Sequence, residues 1–203
     1  MRPQQTMKTI ICDIDGTLTD MWPIEKSVLL FMTDRKFANY LEQLKCSGIS
    51  DLYKLFTKIT RESIGKQKFF IIYNQAFEIL LEENNLPKPK KLPLVKWIKL
   101  NSSKYIFVYA TGGQRLETRY VLENLGLAPF FDFKNSIDKT SCRFAKRTGI
   151  TFLKIKSKYS DCLLITDSLS DCEGTVIAKI PCVIIAHLQS KLLYFGWWTK
   201  SWC

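Results

Sequence analysis

The feature that most constrains the fold of this chain is a short apolar run ending in two aspartates and a glycine, KTIICDIDGTLTD over residues 8–20. A β-branched apolar run of this length, bounded by Gly and Thr, is typical of a buried strand. Asp13 and Asp15 would then lie just beyond its carboxyl end, where open α/β sheets bind their ligands. Because alternate residues of an extended chain point the same way, both carboxylates can face one site.

Two neighbouring carboxylates repel each other, and this repulsion has a chemical use. The pair is costly to keep ionised unless a cation lies between the two groups or one of them keeps its proton. With Mg2+ bound, one carboxylate remains an oxygen ligand and potential nucleophile, while the other can move a proton to a leaving group. The alternative for this segment alone is a turn or helix cap rich in Asp, Gly and Thr.

A second apolar run, KYIFVYATGGQ over residues 104–114, also ends in polar residues. Thr111 would lie at the strand end, and the main-chain amides of Gly112 and Gly113 would be free to face an anion. A helix is predicted from Arg115 onward, and its N-terminus would add positive partial charge. Arg115 is itself a candidate for substrate binding, although it could serve only to cap its helix. Alone, this pattern also describes an ordinary tight connection.

A third strand end is predicted in CLLITDSLSD, residues 162–171. Asp167 follows the apolar run and could bind a metal ion, and Asp171 lies four residues later as a second acid. In isolation this sequence is more typical of a solvated helix cap. Three strand ends with complementary polar groups favour a shared site.

Together these segments resemble the haloacid dehalogenase superfamily, whose signatures are Asp-x-Asp-Gly-Thr, a strand-terminal Thr or Ser, a Lys and paired acids near the C-terminus. The resemblance covers residues 8–20 and about 104–186. It implies that Asp13 is the nucleophile, that Asp15 is the general acid and base, and that Thr111 holds the phosphoryl oxygens. It also implies that Asp167 binds the metal together with Asp13 and the main-chain carbonyl of Asp15, and that Asp171 is the second acid of the last motif.

The resemblance further requires a lysine. Lys146 is favoured because KRTGITFLKI resembles the Lys-x-x-x-x-x-Phe stretch of these enzymes, and Lys139 is the alternative. The physical need is a fixed positive charge that neutralises the nucleophile and the phosphate oxygens. Relatives that cleave carbon–halogen bonds or phosphonates lack an acid at the position of Asp15, so the resemblance implies phosphate esters.

The predicted architecture is a Rossmann-like α/β core, a parallel sheet flanked by helices, formed by residues 1–22 and 100–203. Residues 23–99 are predicted to form a small helical cap. Apolar residues recur there at helical spacing from about residue 25 to 83, which is too much helix for a simple crossover, and NNLPKPKK breaks the pattern. Caps inserted at this point in related enzymes cover the site during the reaction. The alternative is extra helices that only pack on the sheet.

Composition adds weaker constraints. The net charge of +11 favours an anionic partner. Seven scattered cysteines argue against a disulfide framework and favour the cytoplasm, and a single histidine, His187, leaves no credible zinc site. No apolar run reaches the roughly 20 residues of a transmembrane helix. The aromatic C-terminus, LLYFGWWTKSWC, is predicted to complete the core, or else to pair with another subunit or touch a membrane surface.

The predicted function is therefore a Mg2+-dependent phosphatase that hydrolyses a small phosphorylated metabolite through an aspartyl phosphate on Asp13. One alternative is a sugar-phosphate phosphomutase. The other is a basic protein, catalytically weak, that binds nucleic acid or another anion. Lysines near Trp97 allow nucleic-acid binding, but no recognised nucleic-acid module is evident, so it is not favoured.

Overall fold

A largely parallel sheet is the central element of one compact unit in this computed structural model. The structure describes residues 8–33, 35–142 and 144–185, and the backbone of 195–197. The strands are β1 (Thr9–Cys12), β2 (Ile106–Tyr109), β3 (Cys162–Thr166), β4 (Cys182–Ile185) and β5 (Phe195–Trp197). Their order is β2-β1-β3-β4-β5, and only β5 is antiparallel to its neighbour. The predicted α/β fold with a parallel sheet is confirmed.

Eight α-helices accompany these strands within the described residues. They are α1 (Trp22–Met32), α2 (Ala38–Cys46), α3 (Leu52–Thr60), α4 (Lys66–Glu82), α5 (Pro93–Asn101), α6 (Arg115–Asn124), α7 (Ile150–Lys156) and α8 (Leu169–Ala178). None of these helices is both long enough and apolar enough to cross a bilayer.

Alternating side chains of the strands build the core of the sheet. Ile11, Val108 and Leu164 are fully buried and share one cluster with Phe152 and Ile155 of α7. Phe107 points to the opposite face because it neighbours Val108 in the strand. Since both faces are covered, the strands read as nearly continuous apolar runs rather than alternating ones.

The chain divides into two compact units, Met1–Asp20 with Lys90–Cys203, and Met21–Pro89. The sequence placed residues 23–99 in the cap, but α5 belongs to the unit that contains the sheet. The reason lies in its aromatic contacts: the Trp97 ring stacks on Tyr105 at 5.6 Å between centroids and meets Phe107 edge-on at 6.1 Å. That the helical unit covers a site during a reaction stays a prediction.

The helical unit has its own core. Phe69 of α4 is fully buried, and its ring lies 5.2 Å from that of Phe56 in α3 and 5.8 Å from that of Tyr73. Asp51 begins α3 by accepting a hydrogen bond from the Lys54 amide at 3.0 Å. A helix cap and an aromatic cluster thus define this unit.

Two predictions from the sequence concern residues outside the described part of the chain. His187 lies there, and so do the side chains of the C-terminal aromatic cluster. Of that cluster only the backbone of β5 is described, where Ile184 pairs with Gly196 at the edge of the sheet.

Candidate active site

The polar residues predicted at three strand ends lie at the same edge of the sheet. Cys12, the last residue of β1, pairs with Tyr109 in β2 and with Ile165 in β3. The ladder continues beyond the strand, because the Asp13 amide donates to the Ile165 carbonyl at 3.0 Å. Parallel pairing in this register brings the residues after each strand together.

Asp13 is almost fully buried, at 6% exposure, yet its carboxylate is well supplied with donors. The Lys146 ammonium lies 2.8 Å from Oδ1, and the Ile14 amide donates to the same oxygen at 2.9 Å. The Thr166 hydroxyl lies 3.3 Å from Oδ2. Hydrogen bonds to an ionised carboxylate offset the cost of burying it.

A tight turn follows Asp13 and explains the glycine at position 16. The amides of Leu18 and Thr19 donate to the Ile14 carbonyl, and Gly16 adopts a φ of +69°. A Cβ on Gly16 would lie 1.8 Å from Oδ2 of Asp167, so any larger residue would have to displace that carboxylate. The turn brings the first and third strand ends into direct contact.

Asp15 lies within this turn and is exposed, whereas Asp13 is buried. The different exposure suits the different roles implied by the sequence, because a nucleophile must be fixed and a proton carrier must reach a leaving group and water.

Thr111 follows β2 and Ala110, and its hydroxyl accepts a hydrogen bond from the Gly113 amide at 3.1 Å. The prediction that both glycine amides are free to face an anion is therefore wrong for Gly113. In the described part of the chain no protein acceptor lies within hydrogen-bonding reach of the Gly112 amide. One free amide and one hydroxyl therefore remain at this strand end.

The helix predicted after the glycine pair is α6, which begins at Arg115 as expected. Gln114 caps this helix, and its main-chain amide donates a hydrogen bond to Oε2 of Glu117 at 3.0 Å. Arg115 is not free: its Nε donates to Oδ2 of the buried Asp138 at 2.9 Å. A contact between Arg115 and substrate stays a prediction.

The structure places Lys146 rather than Lys139 next to Asp13. The Lys146 ammonium also contacts Oδ2 of Asp171 and the Ala110 carbonyl, the latter at 3.3 Å. Burial disfavours the charged ammonium, but Asp13 and Asp171 outweigh it and raise the pKa of Lys146. The lysine is therefore a permanent positive charge between two acids.

Glycine packing fixes the backbone of Lys146. It begins a 3-10 turn, Lys146–Thr148, that lies against α8. A Cβ on Gly174 of α8 would lie 2.1 Å from the Lys146 carbonyl oxygen. This close approach of two backbones sets the point from which the side chain reaches the acids.

Asp171 lies in the first turn of α8 and is 1% exposed. Burial raises the pKa of Asp171, and the nearby Lys146 opposes that shift. Thr166 was not predicted from the sequence. Its fully buried hydroxyl lies 3.0 Å from Oδ2 of Asp171 and accepts a hydrogen bond from the Ser168 amide at 3.1 Å. Its position directly before Asp167, at the end of a strand, was the available signal.

Asp167 completes the group of acids. Partial burial raises the pKa of Asp167, and the charges of Asp13 and Asp15 raise it further. Three carboxylates close enough to repel one another form a site that a cation would stabilise. Such an all-oxygen set fits Mg2+, which usually takes only one or two protein carboxylates and completes its shell with water and phosphate.

Side chains alone do not form a closed metal cage here. Within residues 8–33, 35–142 and 144–185, no group of three or more His, Cys, Asp or Glu side chains is placed to hold a metal ion. The ligand set implied by the sequence contains two carboxylates and one main-chain carbonyl, so it does not require such a group.

Both the sequence and the fold are similar to those of known proteins. A family model described as haloacid dehalogenase-like hydrolase matches residues 7–175. No curated protein matches the chain. Similar solved structures include a predicted phosphoglycolate phosphatase of Haemophilus somnus, with 19% identity and a TM-score of 0.65, where 87% of this chain and 84% of that one are covered.

Two other structures show the same fold. The HAD-hydrolase YfnB of Bacillus subtilis, solved with bound magnesium, has 18% identity and a TM-score of 0.61 over 89% of this chain and 87% of its own. A candidate β-phosphoglucomutase of Thermotoga maritima has 16% identity and a TM-score of 0.63 over 91% and 88%. At these identities the likeness establishes the fold.

Proposed function

Because the chain belongs to the haloacid dehalogenase-like hydrolases, we propose that it is a phosphatase that hydrolyses a small phosphate ester through an aspartyl phosphate on Asp13. The observation that carries this proposal is the contact between Asp13 and Lys146 at 2.8 Å, at the edge of the sheet where Thr111 and Asp167 also lie. A buried carboxylate held by a fixed ammonium has the orientation that a nucleophile needs.

The proposed reaction has two steps. An oxygen of Asp13 attacks phosphorus, the bond to the leaving oxygen breaks, and Asp15 donates a proton to the departing alkoxide. Asp15 then takes a proton from a water molecule that attacks phosphorus, which breaks the bond to Asp13 and releases inorganic phosphate. Thr111 and the Gly112 amide hold phosphoryl oxygens, and Gly113 and Arg115 complete the proposed substrate-binding residues.

Lys146 and Asp171 have supporting roles in this scheme. Lys146 neutralises Asp13 and the incoming phosphate, which would otherwise repel each other. Asp171 holds the ammonium from the other side. Mg2+ would be held by Asp13, Asp167 and the main-chain carbonyl of Asp15, and would supply charge stabilisation for the phosphoryl group.

The proposed setting and partners follow from the same observations. The six cysteines in the described ranges are free, which suits a reducing cytoplasm. The helical unit, Met21–Pro89, is proposed to select the leaving group. The net charge of +11 suits an anionic substrate.

The test is phosphate release from a panel of phosphorylated metabolites and an aryl phosphate, with Mg2+ or with EDTA, and with Asp13→Asn as the control. We expect metal-dependent release that the substitution abolishes. Accumulation of an isomerised sugar phosphate instead of free phosphate would identify a phosphomutase. Salt-sensitive binding of nucleic acid by Asp13→Asn, with no phosphate release by the wild type, would contradict the proposal.

A further inference from the structure

A cavity of about 170 Å³ adjoins the proposed phosphoryl site. Its lining includes Thr111, Gly112, Lys146 and Asp171, which are the groups proposed to handle the phosphoryl group. It also includes Ile137, Asp138, Lys139, Cys142 and Arg147, which have no part in the reaction proposed above. The cavity is far larger than the roughly 10–15 Å³ that one water molecule requires.

Hydrogen bonds fix residues 137–139 against the loop formed by residues 111–113. The Thr111 amide donates to the Ile137 carbonyl at 2.9 Å, and the Lys139 amide donates to the Gly113 carbonyl at 3.0 Å. Lys139 is thereby anchored by its own backbone beside the glycine pair. This hydrogen bond fixes the point from which the Lys139 side chain extends at the cavity.

Asp138, which also lines the cavity, does not cancel the charge of Lys139. It is 1% exposed, and its Oδ1 accepts hydrogen bonds from the amides of Thr140 and Ser141, each at 2.9 Å. Its Oδ2 is paired with Arg115. The Asp138 carboxylate therefore already has an ion-pair partner and two amide donors, and it stabilises the turn that carries Lys139.

Two cationic side chains that line the cavity have no acidic partner among the described residues. Lys146 is shared between Asp13 and Asp171, but within the described ranges neither Lys139 nor Arg147 is paired with an acidic side chain. The cavity lining also includes the buried apolar residues Ile137 and Cys142. A lining that is partly apolar strengthens the attraction between these cations and an anion.

We propose that this cavity binds a second acidic group of the substrate, and that Lys139 and Arg147 recognise it; this inference rests on the proposed phosphatase function. The substrate class is a small phosphate ester whose alcohol part carries a carboxylate or a second phosphate. Loss of one charged hydrogen bond to such a group weakens binding by about tenfold or more. Lys139 thus acts on substrate choice, while Lys146 acts on the reaction.

The experiment compares pairs of esters that differ only in the second acidic group. Phosphoglycolate is paired with its carboxamide, and propanediol bisphosphate with propyl phosphate. The quantity measured is the ratio of kcat/KM for the acidic ester to that for the neutral ester. It is measured in the wild type, Lys139→Gln, Arg147→Gln and the double variant, with Lys154→Gln, an exposed lysine of α7 outside the cavity, as the charge-matched control.

We expect each single substitution to lower the ratio about tenfold, mainly through KM, and the double substitution to lower it further. The pair of esters with the larger wild-type ratio shows whether the cavity prefers a carboxylate or a second phosphate. The ratio should not change in Lys154→Gln. An equal loss on acidic and neutral esters, or no change in the ratio, would overturn the proposal.

A binding measurement distinguishes failure of the phosphatase proposal from failure of the cavity proposal. Calorimetric titration of Asp13→Asn with phosphoglycolate and its carboxamide requires no turnover. The cavity proposal is supported, even without hydrolysis, if phosphoglycolate binds more tightly than its carboxamide and if adding Lys139→Gln abolishes this difference. Equal binding of both compounds rejects the cavity even if wild-type hydrolysis is observed.

Discussion

At the scale of single residues, Gly16 has a requirement that the sequence pattern alone does not explain. An alanine there would place its Cβ 1.8 Å from Oδ2 of Asp167, in a backbone conformation with φ of +69°. We expect Gly16→Ala to displace the Asp167 carboxylate, lower kcat/KM at least tenfold and raise the Mg2+ concentration needed for activity. A magnesium titration of phosphate release measures both effects.

Gly48 provides the matched control for Gly16. It also has a positive φ, of +89°, but a Cβ there would meet nothing within 4 Å. Gly48→Ala should therefore cost about 1 kcal/mol of folding free energy from the backbone alone, without changing the magnesium requirement. Equal magnesium dependence in both variants would contradict the placement of Asp167.

Thr166 joins the two acids that flank Lys146, and its hydroxyl can be removed with little change in shape. We expect Thr166→Val to lower kcat about 10-fold to 100-fold with KM nearly unchanged, because the substitution removes one of the two hydrogen bonds to Asp171 and leaves the Ser168 amide without a partner. Steady-state kinetics test this, and Thr166→Ser should retain most activity. A serine variant as slow as the valine variant would mean that shape, not the hydroxyl, matters.

Thr9→Val is the control for that comparison. Thr9 is 1% exposed in β1, and its hydroxyl has no hydrogen-bond partner among the residues that the structure describes. Its replacement should leave kcat unchanged and be neutral or slightly stabilising, since an unpaired buried polar group is lost.

At the scale of elements, α3 depends on its first residue. Burial disfavours the charged Asp51 carboxylate, but the Lys54 amide and the Lys66 ammonium outweigh it and lower the pKa of Asp51. Because the folded-state pKa is below the unfolded value, Asp51 stabilises the fold above the unfolded pKa, and this contribution is lost as pH falls through the folded pKa. Asp51→Ala should cost about 1 kcal/mol near neutral pH.

Urea unfolding of the wild type, Asp51→Ala and Asp51→Asn across pH measures this contribution. Asparagine keeps the cap but cannot ionise, so the wild type should lose its advantage over Asp51→Asn between about pH 6 and about pH 3. An advantage that is constant over that range would show that the carboxylate charge is not what stabilises α3.

The elements themselves were largely predictable because their apolar periodicity is strong. The three runs ending at Asp13, Thr111 and Asp167 correspond to β1, β2 and β3, and the helical spacing from about residue 25 to 83 corresponds to α1, α2, α3 and α4. The sequence assigned α5 to the cap, whereas its contacts group it with the sheet. Periodicity shows that a helix has an apolar face but not which surface it packs against.

Side-chain pairing within the site was less predictable, for a related reason. The ion pair between Arg115 and Asp138 and the use of the Gly113 amide by Thr111 depend on rotamers and on loop geometry. Residues far apart in sequence meet there, and no local pattern encodes the meeting. The sequence favoured Lys146 over Lys139, but it does not encode the packing of α8 against the Lys146 turn.

At the scale of the whole molecule, the proposed phosphatase function depends on one covalent step at Asp13. Its supporting features are separate in sequence: the turn at Gly16, the loop at Thr111, the lysine at 146 and the acids of the third strand end. They are related only by the parallel register of β1, β2 and β3. The central claim is therefore that these parts act together to place a phosphoryl group on one aspartate.

The most direct measurement is peptide mass spectrometry of protein quenched with acid within one turnover of a phosphate ester, in the presence of Mg2+. We expect a phosphoryl group on the peptide that contains Asp13. Hydroxylamine should remove this group, as expected of an acyl phosphate, and the group should be absent when EDTA is present. Release of phosphate by Asp13→Asn near the wild-type rate, with no labelled peptide in either protein, would contradict the proposed function.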